Sequence, residues 1–396
     1  MIMKKFTTIF FVTQIIFTMY ANGQWILANN GLINSGVFSI KQNGNSIFAG
    51  TNIGICVSVN QGASWTGITS SGPVLGFAGN GDTLISATLG SGVYLSVDSG
   101  ATWNPVNNGL TDTNIYSLLV DGATIFAGTG NGIFISGNNG SSWNPSGTGI
   151  TVPITRCLFK NGADLLAGTE GGGAFISSNG GISWLPVSSG IPSNTTVHAF
   201  ASAGSLLFSG TDSGIYKSTD NGLTWNPVNS GLPGAVVNSL AVNGSSIFAG
   251  LSNDGIFISD TGAISWNAVN TGLQIPTGIP FSLTPVGPDL FAAIYSNGIY
   301  IRHLVEMTDV AEVGKADHDF LFYPDPFSDE ITIELHANSD QKWQFALYNS
   351  IGEKIAEQLL ITRSTKLNLS QHASGIYFYE LFNDQKLISK GKLIRQ

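Results

Sequence analysis

The apolar residues of this chain come in short runs, some alternating with polar positions and some continuous, broken every few residues by Gly, Asn or Ser. Residues 237–268 display the unit. Val237-Asn238-Ser239-Leu240-Ala241-Val242 is a first run, and Asn243-Gly244 interrupts it. Ser246-Ile247-Phe248-Ala249-Gly250 and Gly255-Ile256-Phe257-Ile258-Ser259 follow, and Ser265-Trp266-Asn267-Ala268 ends the unit. Runs of this length joined by Asn-Gly or Gly-rich turns predict an antiparallel meander of four strands.

Tryptophan sets the period. Trp25, Trp65, Trp103, Trp143, Trp184, Trp225 and Trp266 are spaced by 40, 38, 40, 41, 41 and 41 residues, and only Trp343 stands outside the series. A fixed period near 40 built from four-stranded meanders predicts an all-β chain whose main domain is a β-propeller. The two ends of the series are incomplete. Trp25 has no unit in front of it, and the last unit, Pro280 to His303, has three strand signals and no Trp. The fragments complement one another, so the strand at Trp25 is expected to close the last blade. That gives seven blades and no open edge in the ring, with an eight-bladed or open array as the alternative.

The turn before the tryptophan carries a motif, best seen in Ser96-Val97-Asp98-Ser99-Gly100-Ala101-Thr102-Trp103 and Ser218-Thr219-Asp220-Asn221-Gly222-Leu223-Thr224-Trp225. Asn60, Asn138 and Asn179 take the Asp position in looser copies, and the copy before Trp266 has Thr261 there and Ala263 in place of Gly. Asp or Asn can accept bonds from the turn's own amides, Gly permits positive φ, and Trp packs beneath. These residues resemble the Asp-box of sialidase-type (BNR-repeat) propellers. The resemblance implies a fold, with the box on the rim and outside any chemistry.

Composition narrows the function. The chain has 396 residues with 50 Gly, 16 basic and 25 acidic residues, and a net charge of −9. That balance disfavours nucleic acid as a partner. Residues 1–23 resemble a signal peptide, with Lys4 and Lys5 before an apolar stretch, Phe6–Tyr20, and Ala21-Asn22-Gly23 at a cleavage site that leaves Gln24 first. A buried N-terminal helix is the other reading. No second apolar span follows, so no membrane span is expected in the mature protein. Cys56 and Cys157 fall in different blades, too far apart to pair, and read as small buried residues.

Beyond a linker at 304–319 the repeat stops. Tyr323-Pro324-Asp325-Pro326-Phe327-Ser328-Asp329 precedes the alternating run Ile331–Leu335. Leu347–Lys354, Gly375–Tyr379 and a basic strand, Lys386 to Arg395, come after. Residues 320–396 resemble the type A sorting domain of the type IX (Por) secretion system of Bacteroidetes-type bacteria, with Tyr323, Pro324, Pro326 and Phe327 as the sorting motif. Asp325 departs from the usual Asn between the prolines but keeps turn chemistry. The resemblance implies a small Ig-like β-sandwich, the secretion machinery as partner, and a secreted or cell-surface destination. An ordinary Ig-like binding module is the alternative.

Chemistry is sparse. A sialidase needs three arginines on its substrate carboxylate, and residues 24–303 hold only Arg156 and Arg302. Phosphate-loop, zinc-ligand and Ser-His-Asp signatures are missing, so no catalytic residue, metal or cofactor is assigned. The near-constant period leaves short loops, which makes a deep glycosidase cleft hard to build, although a glycoside hydrolase acting on polysaccharide remains the second reading. Aligning the first strands gives one position as Ser39, Gly76, Ser117, Arg156, Ala199, Ser239 and Ser282. The preceding position reads Phe38, Leu75, Tyr116, Thr155, His198, Asn238 and Phe281. Glu170, Asp212 and Asp254 lie in the loops between strands two and three. Arg156, His198, Asn238, Glu170, Asp212 and Asp254 are therefore the candidate ligand-binding patch for a protein or glycan. Against that stands the plainer reading, in which Arg156 only pairs with Glu170 inside its own blade and His198 is a packing residue.

Overall fold

The computed structural model describes residues 24–69, 72–234, 236–274, 278–304, 307, 320–323, 329–335, 343–349, 353–360, 364–383 and 386–395. The leader expected at 1–23, nearly all of the expected linker, and Pro324, Asp325, Pro326 and Phe327 lie outside them. The chain divides into two compact units, Met1–Met307 and Thr308–Gln396. Among the described residues both are built from β-strands, with no α-helix.

The first unit holds four-stranded antiparallel sheets of one design. Their first strands are Val37–Asn43, Val74–Asn80, Ile115–Asp121, Thr155–Asn161, Val197–Ala203, Val237–Asn243 and Pro280–Val286, and they number the sheets 1 to 7 here. In sheet 5 the order is Val197–Ala203, Leu206–Thr211, Gly214–Ser218, Asn226–Pro227. The second strand of each sheet is buried along nearly its whole length, which explains runs such as Ser46–Thr51 and Asp289–Ile294 that do not alternate. Each first strand lies beside that of the next sheet, and Pro280–Val286 lies beside Val37–Asn43. Sheets 7 and 1 share one core, with Phe291, Ile299 and Ile301 packed against Val37, Ile47 and Trp65. The orphan strand Ile26–Leu27 pairs antiparallel with Gly298–His303 and is the fourth strand of sheet 7.

Tryptophan joins neighbouring sheets. The indole N–H of Trp65, Trp143, Trp184, Trp225 and Trp266 donates to the carbonyl of Ala28, Val106, Ser146, Val187 and Val228, one repeat back. Trp25 does the same to Val269 at 2.6 Å, across a sequence separation of 244. The sequence places each ring beneath its own turn. The rings do pack there, as Trp225 against Gly222 illustrates, but six of the seven also bond the sheet before. Trp103 differs: its indole donates to Gly100 of its own turn, and its ring packs with Phe48 and Phe77. A glycine six residues after the tryptophan completes the joint. Gly109, Gly149, Gly190, Gly231 and Gly272 have positive φ and lie against the carbonyl of the following Trp, and Gly31 does likewise.

The turns before the tryptophans follow one hydrogen-bond plan. Asp98 Oδ1 accepts from Ser96 Oγ and from the Thr102 amide, while Oδ2 accepts from Thr102 Oγ1 at 2.6 Å. Asp220 repeats this with Ser218 and Thr224. Asn60, Asn138 and Asn179 keep the Oδ1 bonds and turn Nδ2 to the hydroxyl of Ser64, Ser142 and Ser183. In the decayed copy Ala263 holds the glycine's place at a φ of 52°, a conformation costing an L-residue roughly 1–2 kcal/mol.

The second unit has a three-stranded sheet, ordered Phe320–Tyr323, Glu330–Leu335, Ser364–Asn368. It also has a four-stranded sheet, ordered Lys354–Leu360, Trp343–Tyr348, Gly375–Asn383, Lys386–Arg395. One core spans both, with Ile331 and Ile333 against Trp343, Phe345, Leu347 and Leu381.

Two predictions follow from these turns and joints. Gly272→Ala places a Cβ 2.5 Å from the Trp25 carbonyl oxygen, whereas Gly44, also at positive φ, faces open space. Gly44→Ala is expected to cost about 1 kcal/mol and Gly272→Ala at least about 2 kcal/mol more in urea denaturation of the full chain. Equal losses would mean that the closing strand tolerates displacement. Separately, the Thr102 hydroxyl first, then its amide and Ser96, hold the Asp98 carboxyl down from 3.8 to about 2, and Thr224 and Ser218 do the same for Asp220. A depressed folded-state value stabilises the fold above the unfolded value and is lost as pH falls. Unfolding midpoints should therefore drop between about pH 4 and pH 2. The Asp98→Asn/Asp220→Asn double variant, which converts both turns to the Asn form, should show a shallower drop, and an unchanged slope refutes the assignment.

Candidate functional site

Every first strand carries a β-bulge at the same place. The register slips between Val37 and Ser39, Val74 and Gly76, Ile115 and Ser117, Thr155 and Cys157, Val197 and Ala199, Val237 and Ser239, and Pro280 and Ser282. The skipped residues are Phe38, Leu75, Tyr116, Arg156, His198, Asn238 and Phe281. A bulge re-aims a side chain out of the ladder, and here it does so in all seven sheets.

This register corrects the alignment of sheet 4. Cys157, not Arg156, belongs with Ser39 and Ser239, because it is Cys157 that pairs with Gly168 as Ser39 pairs with Gly50. The side chains agree. Ser39 Oγ donates to Val74 O and Ser239 Oγ to Pro280 O, each in the next sheet, and Cys157 Sγ points at Val197 O at 3.5 Å. Cys157 is thus a partly buried free thiol with a serine's role, pushed up to about 12 by desolvation, and Cys56 is a buried free thiol. Thr155 moves into the buried position before the bulge, and Arg156 joins His198 and Asn238.

In sheets 4 to 7 the bulge residue meets the residue fourteen positions later, at the start of the loop between strands two and three. Arg156 Nη2 is 2.5 Å from Glu170 Oε2. His198 Nε2 is 2.6 Å from Asp212 Oδ1, and Asn238 Nδ2 donates to Ser252 Oγ at 2.7 Å. Phe281 meets Tyr295 edge-on, with centroids 5.9 Å apart. The main chain fixes the later partner in every sheet. Its amide donates to the carbonyl two residues before the bulge: Asn52 to Gly36, Leu89 to Pro73, Gly130 to Asn114, Glu170 to Ile154, Asp212 to Thr196, Ser252 to Val236 and Tyr295 to Ile279. Neighbouring bulge residues also touch. The Arg156 guanidinium lies 4.6 Å from the centre of the Tyr116 ring, and Phe38 and Phe281 are 5.4 Å apart. The bulge residues and their partners therefore form one surface at one end of the first strands.

Four of the six candidates occupy equivalent positions as pairs, Arg156 with Glu170 and His198 with Asp212, and Asn238 sits beside them in sheet 6. The Arg156–Glu170 pair is inside its own sheet, the plainer alternative from the sequence. Asp254 does not take the place of Glu170 and Asp212, which belongs to Ser252; its carbonyl accepts from Asn270 Nδ2. At Asp212 desolvation acts to raise the carboxyl, but bonds from His198 and from the Thr196 hydroxyl and amide outweigh it and hold the group below its ordinary value. Asp112 was not singled out by sequence. Its Oδ2 fills the space where a side chain on Gly130 would be, opposite Tyr116. Arg302 is buried and donates to Val269 O, a bond inside the framework. Among the described residues no group of three or more His, Cys, Asp or Glu is placed to hold a metal, and no helix is long and apolar enough to cross a membrane.

Residues 321–396 match the secretion system C-terminal sorting domain, and residues 177–285 match the DUF6242 beta propeller domain. No curated protein matches the sequence. Among solved structures the chain is similar to PorZ of Porphyromonas gingivalis, described as an essential bacterial surface component of the type-IX secretion system. The TM-score is 0.59 at 13% identity, covering 94% of this chain and 61% of that one, so the chain spans less than two thirds of PorZ. It is similar to the GH74 enzyme of Niastella koreensis, with a TM-score of 0.58, 15% identity and coverage of 92% and 74%. It is also similar to YCF48 from Cyanidioschyzon merolae, with a TM-score of 0.56, 15% identity and coverage of 72% and 99%. These likenesses establish a propeller-type fold. Together with the sorting domain they describe an all-β, propeller-type chain handled by type IX secretion machinery, secreted or placed at the cell surface.

Proposed function

We propose that residues 24–303 form a closed seven-bladed Asp-box propeller, exported after removal of a leader at 1–23, and that it is a non-enzymatic binding protein for a protein or glycan ligand. Residues 320–396 act as the Ig-like sorting sandwich, with Tyr323, Pro324, Pro326 and Phe327 in its leading motif. The ring reading is supported by the seventh sheet's fourth strand coming from Ile26–Leu27 and by its contact with sheet 1.

The binding reading rests on one observation. The bulges turn seven side chains, including Arg156, His198 and Asn238, onto a common surface, and the main chain holds their partners in place. Such a surface is preorganised, which lowers the ordering cost of association. Asp254 contributes charge from the adjoining loop. Hydrolysis of a polysaccharide is the second reading, favoured by the likeness in fold to a GH74 enzyme.

Secreted full-length chain on glycan and protein arrays, with a reducing-sugar assay in parallel, separates the two. Binding without sugar release is expected. Arg156→Ala should weaken it about tenfold with the thermal midpoint retained. Sugar release supports the hydrolase instead, and normal binding by Arg156→Ala removes this surface as the site.

A further inference from the structure

The bulge surface has two unlike halves. Sheets 7, 1 and 2 give it an apolar half, in which Phe38, Phe281 and Tyr295 form a mutual cluster with centroids 5.2 to 5.9 Å apart. Phe281 is 37% exposed, and Ile53 and Leu89 in the adjoining loops are 44% and 38% exposed. This cluster lies outside the tryptophan series and spans sheets 7 and 1. Sheets 3 to 6 give a charged half with Asp112, Glu170, Asp212 and Asp254. Among the described residues, the loops at this end of the sheets, 28–36, 52–53, 72–73, 89–91, 106–114, 130–131, 147–154, 170–172, 187–196, 212–213, 228–234, 236, 252–254, 269–274, 278–279 and 295–297, contain no Lys or Arg. This half thus has four carboxylates and, as counter-charges, one guanidinium and one imidazole, Arg156 and His198, which are paired with Glu170 and Asp212, so its acidic groups are in excess.

We propose that the ligand of this surface is an extended basic peptide segment that carries an aromatic or large apolar side chain. The inference deepens the binding reading above and rests on it. The charged half is complementary to Lys or Arg, which steers encounter and rejects acidic partners. The phenylalanine and tyrosine cluster takes the apolar anchor, since exposed aromatic patches rimmed by polar residues mark interaction sites. Arg156, already bonded to Glu170 through one of its five N–H groups, keeps donors for a peptide carbonyl. A neutral glycan would use the rings but leave the excess negative charge of this half unmatched.

The test is a random-sequence peptide array probed with secreted full-length chain, read beside a glycan array, followed by titration of the best peptide. Expected hits are enriched in Lys or Arg together with Phe, Tyr or Trp. Their affinity should fall about tenfold in the Glu170→Gln/Asp212→Asn double variant and about tenfold in Phe281→Ala. Asp164→Asn, at the opposite end of sheet 4, should leave it unchanged, and raised salt should weaken it. Acidic hits, or basic hits indifferent to both the double variant and Phe281→Ala, overturn the proposal. Glycan hits sensitive to Phe281→Ala and Arg156→Ala, with no peptide hits, overturn the peptide class but leave the binding surface standing. No hit on either array that responds to any of these variants removes both readings.

Discussion

The fold depends on a joint between neighbouring sheets, made by one tryptophan per repeat. A four-stranded sheet of this size cannot bury both of its faces alone, so each must be covered by its neighbours. An indole that buries roughly 200 Å² contributes on the order of 5 kcal/mol before entropy is subtracted. Its hydrogen bond adds only about 1 kcal/mol net, but an unpaired buried N–H would cost about 1–3 kcal/mol. Packing thus supplies the drive, and the hydrogen bond to the preceding sheet sets the direction. Trp25 bonding to Val269 extends the joint to the N-terminal strand. The pairing of only two residues, Ile26–Leu27, with Gly298–His303 is therefore reinforced by a buried ring and its bond.

The same regularity explains where side chains are free to vary. The residue before each bulge is Val, Ile, Thr or Pro, and in all seven sheets it is buried. The residue after it is small, because it faces the next sheet, where Ser39, Cys157 and Ser239 reach a carbonyl. The second strands repeat a Phe-Ala-Gly-like core for the same reason. Between these constrained positions the bulge residue alone runs through Phe, Leu, Tyr, Arg, His, Asn and Phe. Its side chain has left the ladder, so strand pairing does not dictate it.

The period and the strand that completes sheet 7 were legible because tryptophan is large, rare and placed once per unit. The bulge was not. It inserts a residue without changing the repeat length, and in sheet 4 the size pattern Thr155-Arg156-Cys157 permits a register that is wrong by one, since Cys157 substitutes for serine. The glycine six residues after Trp had a readable signal, a constant spacing from Gly31 to Gly272 in six units. It is easily lost among 50 glycines whose turns have no such role. The unit with a 38-residue spacing has Ser71 at that place and is followed by Trp103, the one indole that bonds its own turn. The site was half legible. Charge picked out Glu170 and Asp212 as candidates, but Asp112 occupies the vacancy at Gly130, and only the folded chain brings those two residues together.

Seven copies of one unit within a single chain act as their own comparison. Where all copies agree, the residue serves the joint or the ladder, as with Trp, the small residue after the bulge and the buried second strand. Where they disagree at a position that the main chain nonetheless fixes, the ladder does not determine the side chain. The bulge positions and their partners fourteen residues on meet both conditions. There the copies part by the contacts they make: Phe38 packs on Phe281 and Tyr295 between sheets 1 and 7, whereas Arg156 and His198 pair with Glu170 and Asp212 inside sheets 4 and 5. Burial and ladder geometry account for the rest of the first unit. At this surface each side chain is set by the neighbour it meets, a choice that strand pairing leaves open.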